Sequence, residues 1–120
     1  MTRAFIILTT FAVITAVSGC GGSSSSPSAP TPSADVTINI VGDRGNQSYS
    51  PSPTTVRMGQ SVAWRNNDST THNANQDTGA FATGNLNAGA TSSPITMSTA
   101  GTFTYHCTLH PGMVGTITVQ

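Results

Sequence analysis

The sequence predicts an all-β sandwich, on three observations. Thr, Ser, Val, Gly and Asn are plentiful while strong helix formers are scarce, with no Lys and no Glu anywhere in the 120 residues. That composition favours strands and turns. Short apolar runs alternate with period two, as in Val36-Thr37-Ile38-Asn39-Ile40, which is the signature of a half-buried strand. Turn residues separate those runs at regular intervals, the pattern of a sandwich or barrel.

Residues 1–19 form a leader: a short polar start with Arg3, then an apolar run from Ala4 to Val17. That run is too short to span a membrane and suits a signal-peptide core. It closes on Val17-Ser18-Gly19-Cys20, which resembles the lipobox of bacterial lipoproteins. The resemblance implies that Cys20 is lipidated, so that the exported protein is anchored to a bacterial membrane on its periplasmic or cell-surface face. Residues 20–34 are rich in Gly, Ser and Pro without apolar periodicity. Such a stretch buries nothing and serves as a tether, reaching roughly 20 Å as a coil.

Residues 35–120 form the single folded domain. Val36–Ile40 reads as its first strand and residues 42–52 as turn chemistry. Residues 55–58 make a short strand ended by Gly59, and 61–66 another with Val62 and Trp64 on one face. Asn67-Asp68-Ser69-Thr70 turns the chain toward His72. Residues 76–87 are loop-rich, anchored by Phe81 and Leu86, and 91–97 reads as a strand. In 102–107, Phe103, Tyr105 and Cys107 share a face and His106 takes the other. Residues 114–119 close the fold with Ile117 and Val119 inward, and no segment carries clear helix signals.

Charge narrows the function. Four Arg balance four Asp, charged residues total 7%, and the net charge is zero. Nucleic acid requires a basic stripe, so it is excluded as a partner. The two cysteines, Cys20 and Cys107, each have a separate explanation, which argues against a disulfide between them.

Chemistry concentrates in Tyr105-His106-Cys107-Thr108-Leu109-His110-Pro111-Gly112-Met113. Cys107, His110 and Met113 place a thiolate, an imidazole and a thioether three residues apart. Pro111 restricts His110 to extended backbone, and Gly112 permits the bend that returns Met113. Soft sulfur with imidazole favours copper, and one Cys, two His and a weak axial Met are the ligands of a blue-copper electron-transfer centre. The chain holds three histidines. His106 points away from Cys107, so His72 is the candidate for the second imidazole.

These residues resemble the ligand loop of the cupredoxins, the type 1 blue copper proteins that include plastocyanin and amicyanin. The Cys-x-x-His-x-x-Met spacing is the short, amicyanin-like form. Val62-x-Trp64-x-Asn66-Asn67 with His72-Asn73 resembles the segment carrying the first His, Thr99-Ala100-Gly101-Thr102-Phe103 the hairpin before the Cys strand, and Phe81-x-x-Gly84 the loop beside the site. The resemblance covers 35–120. It implies an eight-stranded Greek-key sandwich with one copper ion at one end, bound by His72, Cys107, His110 and Met113. It further implies that Asn73 joins the loops and sends its backbone N–H to the Cys107 sulfur, and that Asn66 ties the His72 loop to the Cys107 strand. Polar residues 68–71 and Met97 depart from the family pattern.

The function so implied is one-electron transfer. Redox protein partners would dock on a monomer at the edge of His110, ringed by Leu109, Pro111, Gly112 and Phe81. Copper storage or delivery is the alternative, although exchangeable sites are often Met- or His-rich and the four Met here are scattered. Catalysis of the kind performed at paired copper centres needs more histidines than the three present.

Overall fold

The computed structural model describes residues 32–120. The leader, Cys20 and most of the tether lie outside the described residues. Eight strands form two four-stranded sheets. They are β1 (Val36–Ile40), β2 (Tyr49–Ser50), β3 (Thr54–Val56), β4 (Ser61–Asn66), β5 (Asn75–Gln76), β6 (Ile95–Thr96), β7 (Gly101–His106) and β8 (Val114–Val119). One sheet runs β2-β1-β4-β6 and the other β3-β8-β7-β5. Both are mixed: β1 lies parallel to β4 and β3 parallel to β8, while the remaining pairs are antiparallel.

Period-two patterning sets the packing. In β1, Ile38 and Ile40 are buried while Thr37 is exposed. Val62 and Trp64 of the neighbouring β4 lie beside them, and Ile117 and Val119 of β8 join the same core from the other sheet. Its centre is aromatic. Tyr105 touches Tyr49, Trp64 and Phe81 at ring-centroid separations of 4.7, 5.6 and 5.9 Å. Gly115, opposite Tyr105 in the β7–β8 ladder, is dictated by this cluster. A Cβ there would lie 2.3 Å from the Tyr105 ring, so only glycine lets the ring lie on the backbone.

Several elements differ from the pattern reading. Residues 42–52 are not all turn: they include a 3-10 turn at Gly45–Gln47 and strand β2. β5 consists of Asn75 and Gln76, polar residues that no hydrophobic alternation marks. The strand expected over 91–97 shrinks to Ile95–Thr96, because Pro94 has no N–H for the ladder. Upstream of it, Ser92 stands in with its side chain. Its hydroxyl accepts from the Trp64 N–H at 3.0 Å, and its own N–H donates to the Trp64 carbonyl at 2.8 Å. The strand expected over 55–58 spans 54–56, and the one over 102–107 spans 101–106.

The β1–β4 register orients the sandwich. Pairing runs from Val36↔Val62 to Ile40↔Asn66. Asp35, which accepts hydrogen bonds from the Ser61 N–H and hydroxyl, therefore marks one end of the sandwich. Asn66 marks the other.

Candidate metal centre

The Asn66 end gathers the ligating side chains. Cys107 follows the last residue of β7 and is fully buried. Three backbone bonds fold the chain after it into a compact bend: His110 N to Cys107 O at 3.2 Å, Met113 N to His110 O at 2.9 Å, and Cys107 N to Met113 O at 3.1 Å. Met113 is thereby returned beneath the loop and fully buried, whereas His110 keeps partial exposure.

His72 arrives from the segment that follows β4. It is fully buried and pairs with Leu86 through two backbone hydrogen bonds, at 3.1 and 2.7 Å. Its Nδ1 lies 3.9 Å from Cys107 Sγ, and His110 Nδ1 lies 3.7 Å from the same sulfur. The three donor atoms sit within 4.8 Å of one another. A first-row ion bonded to sulfur at about 2.3 Å and to imidazole at about 2.0 Å spans an S···N edge of about 3.7 Å in a trigonal arrangement. The two S···N distances therefore fit an ion held between Cys107 and each imidazole. One sulfur, two imidazoles through Nδ1 and an adjacent buried thioether suit copper in both oxidation states. The arrangement is that of a type 1 copper site.

The surroundings hold these donors in place. Asn73 donates its backbone N–H to Cys107 Sγ at 3.4 Å. Its side chain clasps the neighbouring loop: Nδ2 donates to Thr108 Oγ1 at 2.8 Å, and Oδ1 accepts from the Thr108 N–H at 2.9 Å. The Asn73 carbonyl in turn accepts from the buried Tyr49 hydroxyl at 2.6 Å. Burial pushes the Tyr49 hydroxyl pKa upward, keeping it a donor.

Asn66 plays a different part from the one expected. It does not reach the Cys107 strand. Its Nδ2 donates to the carbonyls of Thr70 and Leu86 at 2.7 and 2.9 Å, and its Oδ1 accepts from the Asp68 N–H. Asn66 thus braces the His72 loop from within, because it ends β4 pointing inward and beneath that loop. Phe81 also departs from expectation. It is only 8% exposed and stacks on Trp64 at 5.3 Å, so the core claims it rather than a rim around His110. Leu109, at 48% exposure, and the exposed Pro111 and Gly112 do stand at the surface beside His110.

Asp68 was not singled out by sequence reasoning. Its Oδ2 sits 2.7 Å from His72 Nε2, with the Thr70 hydroxyl 3.0 Å from the same nitrogen. The His72 hydrogen bond holds the Asp68 pKa down to about 2. A carboxylate four residues before a ligand histidine, in a turn that must fold back, is the signal that could have found it. His106, read as a surface residue, donates its Nδ1–H to the Asp77 carboxylate at 2.7 Å and is about one-third exposed.

Comparison with known proteins agrees with this geometry. The profile of copper binding proteins of the plastocyanin/azurin family matches residues 36–120. The chain belongs to that family. It is similar to plastocyanin from Scenedesmus fuscus, 37% identical over 98 residues that cover 72% of this chain and all of the relative. It is similar also to amicyanin from Paracoccus denitrificans, 33% identical over 68% of this chain and 65% of that one. Among solved structures, a purple cupredoxin from Nitrosopumilus maritimus superposes with a TM-score of 0.62 at 31% identity, covering 72% of this chain and all of the other.

Proposed function

We infer that the chain is a one-electron carrier built on a single type 1 copper centre. The observation that carries this reading is the convergence of His72 Nδ1 and His110 Nδ1 on Cys107 Sγ, at 3.9 and 3.7 Å. His72, Cys107 and His110 would hold a copper ion, with the buried Met113 thioether as a further, weaker donor, and the metal would supply Cu(I)/Cu(II) one-electron chemistry. The chain's part is rigidity. His72, Cys107 and Met113 are fully buried and cross-linked by hydrogen bonds, so both oxidation states meet one preformed donor set. The same burial favours retention of the metal over the delivery that was the alternative, and the chain's three histidines favour a carrier over an enzyme with paired copper centres.

His110 is the ligand with a path to solvent. Leu109, Pro111 and Gly112 surround it with uncharged, exposed surface. A redox protein would dock on the monomer there mainly by apolar contact, with weak dependence on salt. The leader and lipobox-like Cys20 support export and lipid anchoring, and no described helix is long and apolar enough to cross a membrane.

Adding Cu(II) to the purified protein tests the reading. An intense thiolate-to-copper band that bleaches on reduction is the expected result, with Cys107→Ser abolishing it. Absence of the band in the parent protein would overturn the assignment. Leu109→Asp should slow electron exchange with a partner while leaving the band intact.

A further inference from the structure

We propose that Asp68 is a positioning residue for this centre, its carboxylate fixing the His72 ring with Nδ1 toward Cys107 and biasing the site toward the oxidised metal. The inference rests on the copper-carrier reading and adds to it a residue that sets the potential.

The two imidazoles are not equivalent. His72 is fully buried and engaged on both sides, with Cys107 Sγ beyond Nδ1 and Asp68 Oδ2 beyond Nε2. A neutral imidazole carries one N–H. A carboxylate only accepts, so the proton belongs on Nε2 and the Nδ1 lone pair is left for a metal. His110 has no such partner: among the described residues, no carboxylate lies within hydrogen-bond distance of its ring, which is partly exposed.

The carboxylate is itself held in place. Asp68 donates its N–H to Asn66 Oδ1 at 2.9 Å, and its Oδ2 accepts from the Thr70 hydroxyl at 2.9 Å. Asn66, which anchors this turn, is fully buried. A negative charge fixed one ring away from the metal raises the basicity of the ligand it touches. It also attracts Cu(II) more strongly than Cu(I), and partial burial limits screening by water.

Asp68→Asn separates charge from hydrogen bonding, because Asn Oδ1 still accepts from Nε2–H. In the copper-loaded full chain this variant should keep the intense band. Its ratio of Cu(II) to Cu(I) affinity should fall about tenfold, equivalent to a rise in potential of about 59 mV. Asp35→Asn removes the same charge at the opposite end of β1 and should change that ratio less than twofold. In the metal-free protein, nitrogen-15 NMR of the His72 ring should place the proton on Nε2.

A ratio within twofold of the parent in Asp68→Asn overturns the proposal, as does an equal shift in Asp35→Asn. A His72 proton found on Nδ1 overturns it too, and that measurement needs no variant to fold. Failure of the carrier reading looks different: the parent protein would then give no thiolate-to-copper band at all.

Discussion

The metal end is made by two regions of opposite design. The loop 107–113 brings three donors in seven residues and closes on itself with three backbone hydrogen bonds. The segment 66–73 brings one donor and depends on others for its shape. Asn66 braces it from β4, Leu86 pairs with His72, and Thr108 receives Asn73. A ligand set of local origin can thus be written into a short motif, whereas a lone ligand must be held by distant parts of the fold.

If that contrast is right, the largest loss comes from the brace. Asn66→Ala takes the Nδ2 donor from the Thr70 and Leu86 carbonyls and the Oδ1 acceptor from the Asp68 N–H, leaving the Leu86 carbonyl only the His72 N–H, and should cost about 2–4 kcal/mol. Denaturant unfolding of the metal-free protein would measure it, and a loss under 1 kcal/mol would mean that the segment holds its own shape. Asn73→Ala comes next. It deletes the clasp on Thr108 but keeps the N–H on the sulfur, so about 1–2 kcal/mol of stability should go while the copper band survives. Faster copper loss to a chelator would locate the effect between the two regions.

Met113→Leu probes the self-closed loop. The side-chain volume is nearly conserved and the backbone bonds remain, so the fold and colour should persist while the potential rises. Loss of copper binding altogether would count against an axial role for the thioether. The smallest effect is expected outside both regions. The Thr104 hydroxyl, and then His106, hold the Asp77 pKa below the ordinary 3.8. A carboxylate depressed in the folded state stabilises it above the unfolded pKa, and that contribution fades as pH falls below about 4. Asp77→Asn should therefore flatten the acid side of the stability curve by less than 1 kcal/mol.

The same contrast explains what could be read without coordinates. Cys107, His110 and Met113 announce themselves by spacing, and His72 follows because the site needs one more imidazole. The long strands 61–66 and 114–119 show their alternation, so the sandwich is legible too. Asp68 and Tyr49 are silent, because nothing local says that a turn carboxylate meets a ring nitrogen or that a tyrosine twenty-four residues upstream caps the Asn73 carbonyl. Asn66 and Phe81 are visible but misassigned. Their residue types suit several environments, and only the packing of β4 against the 81–86 loop decides which. The two-residue strands β2 and β5 fail for a related reason: they exist through pairing with β1 and β7 and have no periodicity of their own.

The parallel registry of β1 with β4 carries one more implication. Asp35 and the residues leading into it leave the domain at the pole away from Asn66 and His72, about 16 Å along the strand. Whatever precedes the domain is therefore attached at its back. A carrier tied down in that way would present its electron-exchanging tip outward, like a lamp on a stalk, without its mooring standing between it and an approaching protein.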